Sequence, residues 1–190
     1  GIFLPKTENF DVVDNLNSKL NLQKKNIFVV PIIETRKGIK NLKKILLDDK
    51  KGLIQGVHYG HFDYSLEANS WPFAEPYQLE YWDNPKIILE TIKKFNISYY
   101  HTPFPLINNS EIFWSSLLYL ENLYNNQNIF MTIINYDKKF IERPKKIKSL
   151  KLKKMTENKK YKINLANKII SEFIETNKNN RSFSISKKKV

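Results

Sequence analysis

Two acidic side chains that follow apolar runs of the sequence are the strongest candidates for chemistry. Glu34 comes directly after the run Ile27–Ile33, and Asp63 comes shortly after the run Leu53–Tyr59. If both runs are neighbouring parallel strands, their carboxyl ends meet at one edge of the sheet, where active-site residues of such folds lie. Two adjacent carboxylates repel each other unless a cation lies between them, and with water they are typical ligands of Mg2+ or Mn2+.

The spacing alone leaves a simpler alternative open. Each acid could be a solvated residue at a strand end or the N-cap of the following helix. The three histidines of the chain are further candidates. His61 and His101 stand at strand ends and could exchange protons near neutral pH. His58 lies inside a predicted strand and is interpreted as structural, because it points away from the site if His61 points towards it.

Five short apolar runs must position these residues, and they alternate with stretches of helical spacing. The runs are Ile2–Pro5, Ile27–Ile33, Leu53–Tyr59, Ile97–His101 and Ile129–Ile134. Helices are predicted over Val12–Leu22, Gly38–Leu47, Pro85–Phe95, Ser110–Asn125 and Tyr161–Asn177, with a weak strand signal at Ser182–Ser186. This alternation predicts a parallel α/β fold and leaves both an open sheet and a closed barrel possible. No glycine-rich phosphate loop follows a predicted strand, which argues against a nucleotide-binding sheet.

Aromatic residues between and beside these elements are interpreted as structural. The segment Glu67–Asp83 reads as a long loop that carries Trp71 and Trp82 and could cover the site. Core or interface positions are the favoured interpretation for both tryptophans and for Tyr99 and Tyr100.

Charge divides the chain into two parts. Residues 1–137 have a balance of −1, whereas residues 138–190 have a balance of +14. This basic tail could bind phosphate groups, but it carries no recognised nucleic-acid motif, so a nucleic-acid partner is not expected. The chain contains no cysteine and no apolar run of membrane-spanning length, so we expect a cytoplasmic protein without a membrane partner.

Three stretches stand in order along the first third of the chain. They are IFLPKTE at Ile2–Glu8, VVPIIETRKGIKNL at Val29–Leu42 and GVHYGHFDYSL at Gly56–Leu66. Together they resemble the HpcH/HpaI aldolase and citrate lyase beta-subunit family, and the helix Ala166–Thr176 resembles it more weakly.

The resemblance implies the C-terminal half of a (β/α)8 TIM-type barrel. Residues 1–137 would supply strands four to eight, and residues 138–190 would form a basic helical extension. The family makes or breaks carbon–carbon bonds next to a 2-oxo acid or acyl-CoA through a metal-bound enolate, and its members are commonly trimers or hexamers. Both chain ends are expected to be cuts within a longer protein, so the fragment alone is not expected to be active. A non-catalytic relative that kept the scaffold for binding or assembly is the alternative.

The resemblance also assigns residues to roles. Glu34 and Asp63 match the metal ligands, which we expect to hold Mg2+ or Mn2+. Lys6 and Glu8 match the strand-four motif, are named as catalytic candidates, and are expected either to support the metal ligands or to face the substrate. His61 is a candidate acid or base, although many family members have proline at that position. Substrate binding is expected from Gly60, which matches the family's glycine loop, and from His101, on its strand-end position alone.

Overall fold

Five short strands form one parallel sheet in the order in which they occur along the chain. The computed structural model describes residues 1–70, 75–106, 108–124, 128–133 and 137–176. The strands are β1 Ile2–Leu4, β2 Val29–Ile33, β3 Gly56–Tyr59, β4 Ser98–His101 and β5 Ile129–Met131. Each strand lies within one of the five predicted apolar runs, so the predicted α/β alternation is confirmed.

Helices follow each of the first four strands, and further helices lie in the C-terminal part. The α-helices are α1 Asp11–Leu20, α2 Arg36–Asp48, α3 His61–Glu67, α4 Asp83–Ile92, α5 Ser110–Tyr124, α6 Lys138–Ile141 and α7 Glu157–Thr176. A 3-10 helix spans Leu79–Trp82. The sequence did not predict α3, α6 or the 3-10 helix. The predicted strand Ser182–Ser186 and Trp71 lie outside the described residues.

Local sequence signals explain where two of these helices begin or end. The side chain of Thr35 accepts a hydrogen bond from the Gly38 backbone N–H at 2.9 Å and caps the start of α2. Helix α1 ends at Asn21, which adopts a left-handed conformation with φ of 53°. The Thr35 cap fixes the turn from β2 into α2, and Asn21 fixes the turn by which the chain leaves α1 towards β2.

The hydrophobic core lies between the sheet and the helices. Alternate residues of each strand point towards this helix-covered face, as the two-residue period of a strand requires. Its buried members include Val29, Ile33, Val57, Tyr59 and Tyr99 from the strands and Leu42, Ile45, Ile88, Ile92 and Trp82 from the helices and the 3-10 helix. Trp82 is completely buried there, which agrees with the interpretation that it is a core residue.

The opposite face of the sheet is concave and aromatic. The rings of Phe3 on β1 and Tyr100 on β4 have their centroids 5.3 Å apart, although β2 and β3 lie between their strands. In a flat sheet these strands would be roughly 14 Å apart, at about 4.8 Å per strand, so the sheet must curve. Phe3 and Phe130 are nearly half exposed on this face, at 47% and 48%.

Gly56 makes room for the aromatic cluster on the concave face. A Cβ atom at this position would lie 2.7 Å from Cε2 of Tyr100, which is closer than van der Waals contact permits. The Tyr100 ring therefore lies directly over the Gly56 backbone. On its other side it stacks on Phe130 with centroids 4.9 Å apart.

Between α6 and α7 the chain passes beside the segment that leads into the 3-10 helix. Lys153 donates its backbone N–H to the Tyr77 carbonyl at 2.9 Å and accepts the Leu79 N–H at 3.1 Å. Leu150 and Leu152, between α6 and α7, pack against the core. Among the described helices, none is both long enough and apolar enough to cross a membrane.

Candidate metal centre

Glu34 lies immediately after β2 at the carboxyl edge of the sheet and is only 6% exposed. Its Oε1 accepts a hydrogen bond from the backbone N–H of Lys6 at 2.8 Å. Lys6 follows β1 and has a left-handed conformation with φ of 48°. A non-glycine residue adopts this conformation only when its surroundings favour it, and here it accompanies a turn that directs the N–H at the carboxylate.

Gly60 lies beside the same carboxylate, between β3 and α3. Its N–H donates to the Ile33 carbonyl at 3.1 Å, which holds the ends of β2 and β3 together. A Cβ atom at Gly60 would lie 2.8 Å from both Cβ and Oε2 of Glu34. Only glycine therefore allows the backbone to approach the Glu34 carboxylate this closely.

Asp63 stands in the first turn of α3, close to Glu34. Burial is the main cause that raises the pKa of the Glu34 carboxyl group, and the Asp63 charge and a side-chain hydrogen bond to Asp63 raise it further. The hydrogen bond from the Lys6 N–H and the Lys6 charge act in the opposite direction. Glu34, Asp63, Lys6 and Gly60 are thus brought together at one edge of the sheet.

The pair of carboxylates fits a hard divalent cation. Two negative oxygen donors in a partly buried position repel each other, and a cation between them would remove that repulsion. In the part of the chain that the structure describes, no three side chains of His, Cys, Asp or Glu converge as a metal-binding group. The protein would therefore contribute two carboxylates, as is common for Mg2+, which keeps water or substrate oxygens as its other ligands.

Glu8 is held at the start of α2. It forms an ion pair with Lys37 at 3.1 Å, and its backbone carbonyl accepts a hydrogen bond from Asn41 Nδ2 at 2.9 Å. A side-chain hydrogen bond from Thr35, followed by the interaction with Lys37, lowers the pKa of the Glu8 carboxyl group. These contacts fasten the segment after β1 to α2 and do not join Glu8 to the carboxylate pair.

His101 does not lie where its strand-end position suggested. It shares with Tyr99 the helix-covered face of β4, where it is 1% exposed. Its Nε2 is 2.9 Å from the Tyr81 hydroxyl and its Nδ1 is 3.0 Å from the Tyr99 hydroxyl. Trp82 stacks on the ring, and burial lowers the pKa of His101 to about 3. The expected substrate-binding position is therefore corrected to that of a neutral core histidine, because the two-residue period of β4 turns it away from the site.

His61 and His58 occupy the reverse of their expected faces. His61 begins α3, and its Nδ1 is 3.3 Å from the hydroxyl of Tyr59, a residue of the helix-covered face. His58 lies on the concave face, where its ring meets that of Phe3 edge-on with centroids 5.8 Å apart. Burial lowers the pKa of His58. His61 is thus grouped with tyrosines behind the sheet rather than with Glu34.

Sequence reasoning missed several residues that hold these side chains in place. Thr35 stands just before a predicted helix, so its role as the N-cap could have been predicted. Its side chain also forms a hydrogen bond with Glu8. The hydroxyl groups of Tyr59, Tyr81 and Tyr99 carry no spacing signal that would pair them with histidines. Their partners are set by tertiary packing alone.

Comparisons with known proteins show a related fold. No protein-family model matches the chain, and no curated protein matches it in sequence. The crystal structure of RipC from Yersinia pestis is similar with a TM-score of 0.57 at 16% identity, over 73% of this chain and 59% of that chain. A malate synthase from Haloferax volcanii is similar with a TM-score of 0.57 at 10% identity, over 94% of this chain and 61% of that chain. At such identities the likeness shows the fold alone, and the chain spans about three fifths of both proteins.

Proposed function

We propose that this chain forms part of a (β/α)8-type barrel that holds a divalent cation between Glu34 and Asp63 for carbon–carbon lyase or aldolase chemistry. The proposed substrates are 2-oxo acids or acyl-CoA compounds, and the proposed assembly is a homo-oligomer such as a trimer or hexamer. The proximity of the two carboxylates at the carboxyl edge of a parallel sheet is the observation that carries the proposal.

The curvature of the sheet supports the barrel. The contact between Phe3 and Tyr100 across two intervening strands is the contact expected on the inside of a barrel wall. The helices lie on the opposite, convex face, as they do around such a barrel. A malate synthase among the similar structures is an enzyme and agrees with this class of scaffold.

The chemistry follows from the charges at the site. A bound Mg2+ or Mn2+ would supply the positive charge that stabilises negative charge developing on a substrate oxygen. Glu34 and Asp63 would hold the cation, and the Lys6 N–H fixes the orientation of the Glu34 carboxylate. Because Gly60 has no side chain, a substrate carboxylate could approach its backbone next to a bound cation.

Thermal unfolding in the presence of Mg2+ or Mn2+ tests the cation. We expect the cation to raise the melting temperature, because it binds the folded chain only. The Glu34→Gln, Asp63→Asn double variant should lose that increase, whereas the matched control Glu90→Gln, on the exposed surface of α4, should keep it. An unchanged increase in the double variant would remove the metal assignment.

Proton exchange tests the chemistry separately. With Mg2+ in D2O, the complete barrel of which this chain would form part should accelerate loss of the methyl proton signal of pyruvate, because formation of an enolate exchanges those protons. Glu34→Gln should return the rate to that of buffer. Cation binding without any acceleration would favour a binding or assembly role for the scaffold over lyase chemistry.

A further inference from the structure

A line of apolar residues lies on the outer surface of α7. Tyr161, Leu165 and Ile169 follow one another at intervals of four residues, and they are 68%, 48% and 58% exposed. Four residues turn a helix by about 40° more than one full turn, so the three side chains lie within about 80° of the helix surface. They extend over about 12 Å of the helix axis, at about 1.5 Å per residue. We call these three side chains the α7 stripe.

The other side of α7 is the one that packs against the protein. Ile163, Ala166 and Ile170 on that side are only partly exposed, and Ile163 lines a cavity together with residues of α3 and the 3-10 helix. Near the start of the helix, Lys159 forms an ion pair with Glu75. One face of α7 thus holds the helix on the protein, and the α7 stripe faces outwards.

The surroundings of the α7 stripe are strongly basic. Residues 145–171 contain ten lysines and one glutamate, Glu157, which is paired with Lys160 at 2.8 Å. Lys162 and Lys168 are exposed, and helix geometry places them about 20° outside the two margins of the stripe. This surface is therefore apolar along its middle and positive on both sides.

We propose that α7 binds along the surface of a lipid bilayer that contains anionic lipids. The α7 stripe enters the boundary between headgroups and acyl chains, and the lysines on either side meet the lipid phosphates. An amphipathic helix with apolar residues on one face and lysines beside them binds membranes in this way. Tyrosine is typical of the membrane–water interface, and each lysine near an anionic surface adds attraction. The proposal does not depend on the cation site at Glu34.

A helix that lies along a bilayer needs no membrane-spanning segment. The sequence predicted no membrane partner because it contains no apolar run of spanning length. That prediction concerns a helix that crosses the hydrocarbon core, whereas an interfacial helix needs only one apolar face. The exposure of the α7 stripe supplies such a face and could not be recognised before the packed side of α7 was known.

The charges around the α7 stripe argue against two other occupants. If two copies of the chain met through antiparallel α7 helices centred on Leu165, Lys162 of each copy would lie opposite Lys168 of the other and like charges would repel. A nucleic acid would attract the lysines through its phosphates but would offer no apolar contact to Leu165 and Ile169. An anionic bilayer matches both the apolar line and its positive margins.

Flotation of the whole chain with lipid vesicles tests the proposal. Vesicles of phosphatidylcholine with about 30% phosphatidylglycerol should bind the chain at least about tenfold more tightly than phosphatidylcholine alone, because the lysines are attracted to anionic headgroups. Added salt should weaken the binding, since it screens that attraction. Equal binding to both kinds of vesicle, or binding to neither, would overturn the proposal.

Variants of the α7 stripe show whether its apolar surface takes part. The double variant Leu165→Gln, Ile169→Gln should bind the anionic vesicles at least about tenfold less tightly, because the side chains that insert are lost. Leu47→Gln, at a residue of α2 that is 49% exposed, is the matched control and should bind like the parent. Undiminished binding by the double variant would show that charge alone attracts the chain to an anion and would overturn the proposal.

A tryptophan on the α7 stripe reports its position without removing its apolar surface. In Tyr161→Trp, lipids with brominated acyl chains should quench the tryptophan emission more than in the parent or in Leu47→Trp, because the stripe lies at the acyl-chain boundary. Quenching no greater than in these two proteins would place α7 outside the bilayer. An oligomer in solution that Leu165→Gln, Ile169→Gln dissociates would assign the stripe to a second copy of the chain; either result would overturn the proposal.

Discussion

Asp63 lies close enough to Glu34 to raise the pKa of the buried Glu34 carboxyl group through its charge and through a side-chain hydrogen bond. The two residues come from different β/α units, since Glu34 follows β2 and Asp63 stands in α3 after β3. A repulsive pair of this kind weakens the protein unless it is protonated or bound to a cation. Its presence at the edge of the sheet therefore has consequences for stability as well as for binding.

Without metal, Glu34 should make the protein less stable as the pH rises. Its pKa is raised in the folded state, so the folded protein binds a proton that the unfolded chain has already released. The resulting stabilisation is complete below the ordinary pKa of glutamate and is lost as the pH rises through the folded value. Urea unfolding in EDTA should show that Glu34→Gln lacks this loss and becomes more stable relative to the parent as the pH rises.

The exposed residue Glu90 supplies the control for this prediction. Glu90→Gln should follow the pH dependence of the parent protein, because its side chain is exposed on α4. Parallel curves for Glu34→Gln and the parent across this range would show that Glu34 is not perturbed in the folded protein.

The buried, neutral His101 should make the protein less stable as the pH falls. Burial lowers its pKa to about 3, whereas the unfolded chain binds a proton near the ordinary value for histidine. Stability is therefore complete above the ordinary value and is lost as the pH falls towards the folded value. The free energy of unfolding should fall less steeply between about pH 6.5 and pH 4 in His101→Gln than in the parent. The same slope in both proteins would mean that His101 is not buried as a neutral imidazole.

The strands and the main helices could be predicted because their signals are local. Each strand is a short apolar run, and on α2 the buried residues Ile45 and Leu46 lie three and four positions after Leu42, which is helical spacing. Helix α3 was not predicted; His61–Glu67 is only seven residues long and begins directly after Gly60. Neighbouring strand ends predicted that Glu34 and Asp63 lie close together, but the spacing alone left a solvated strand-end acid or an N-cap as the alternative. Their role as metal ligands stays a prediction.

The faces of the histidines could not be predicted in the same way. A strand alternates between two faces, and the sequence YYH at the end of β4 has aromatic or imidazole side chains on both. His101 lies on the helix-covered face because it contacts Tyr81 and Trp82 of the 3-10 helix, and these contacts depend on tertiary packing. The concave position of His58 likewise depends on contact with Phe3, which is distant in sequence.

The close approach of the Tyr100 ring to Gly56 leads to a separate prediction about stability. Gly56→Ala should destabilise the protein by about 1–3 kcal/mol, since its new Cβ atom would lie 2.7 Å from the Tyr100 ring. The double variant Gly56→Ala, Tyr100→Leu should recover part of this loss, because the smaller side chain can move away. Urea unfolding of the two single variants and the double variant measures the coupling. Strictly additive effects would show that the Tyr100 ring does not lie over Gly56.

The most direct test of the central claim is titration of the chain with Mn2+ followed by electron paramagnetic resonance, which counts bound and free ions. The account predicts one saturable Mn2+ site per chain, with affinity reduced at least about tenfold in Glu34→Gln and in Asp63→Asn and unchanged in Glu90→Gln. The absence of a saturable site, or equal affinity in all four proteins, would contradict the claim that Glu34 and Asp63 hold one cation between them.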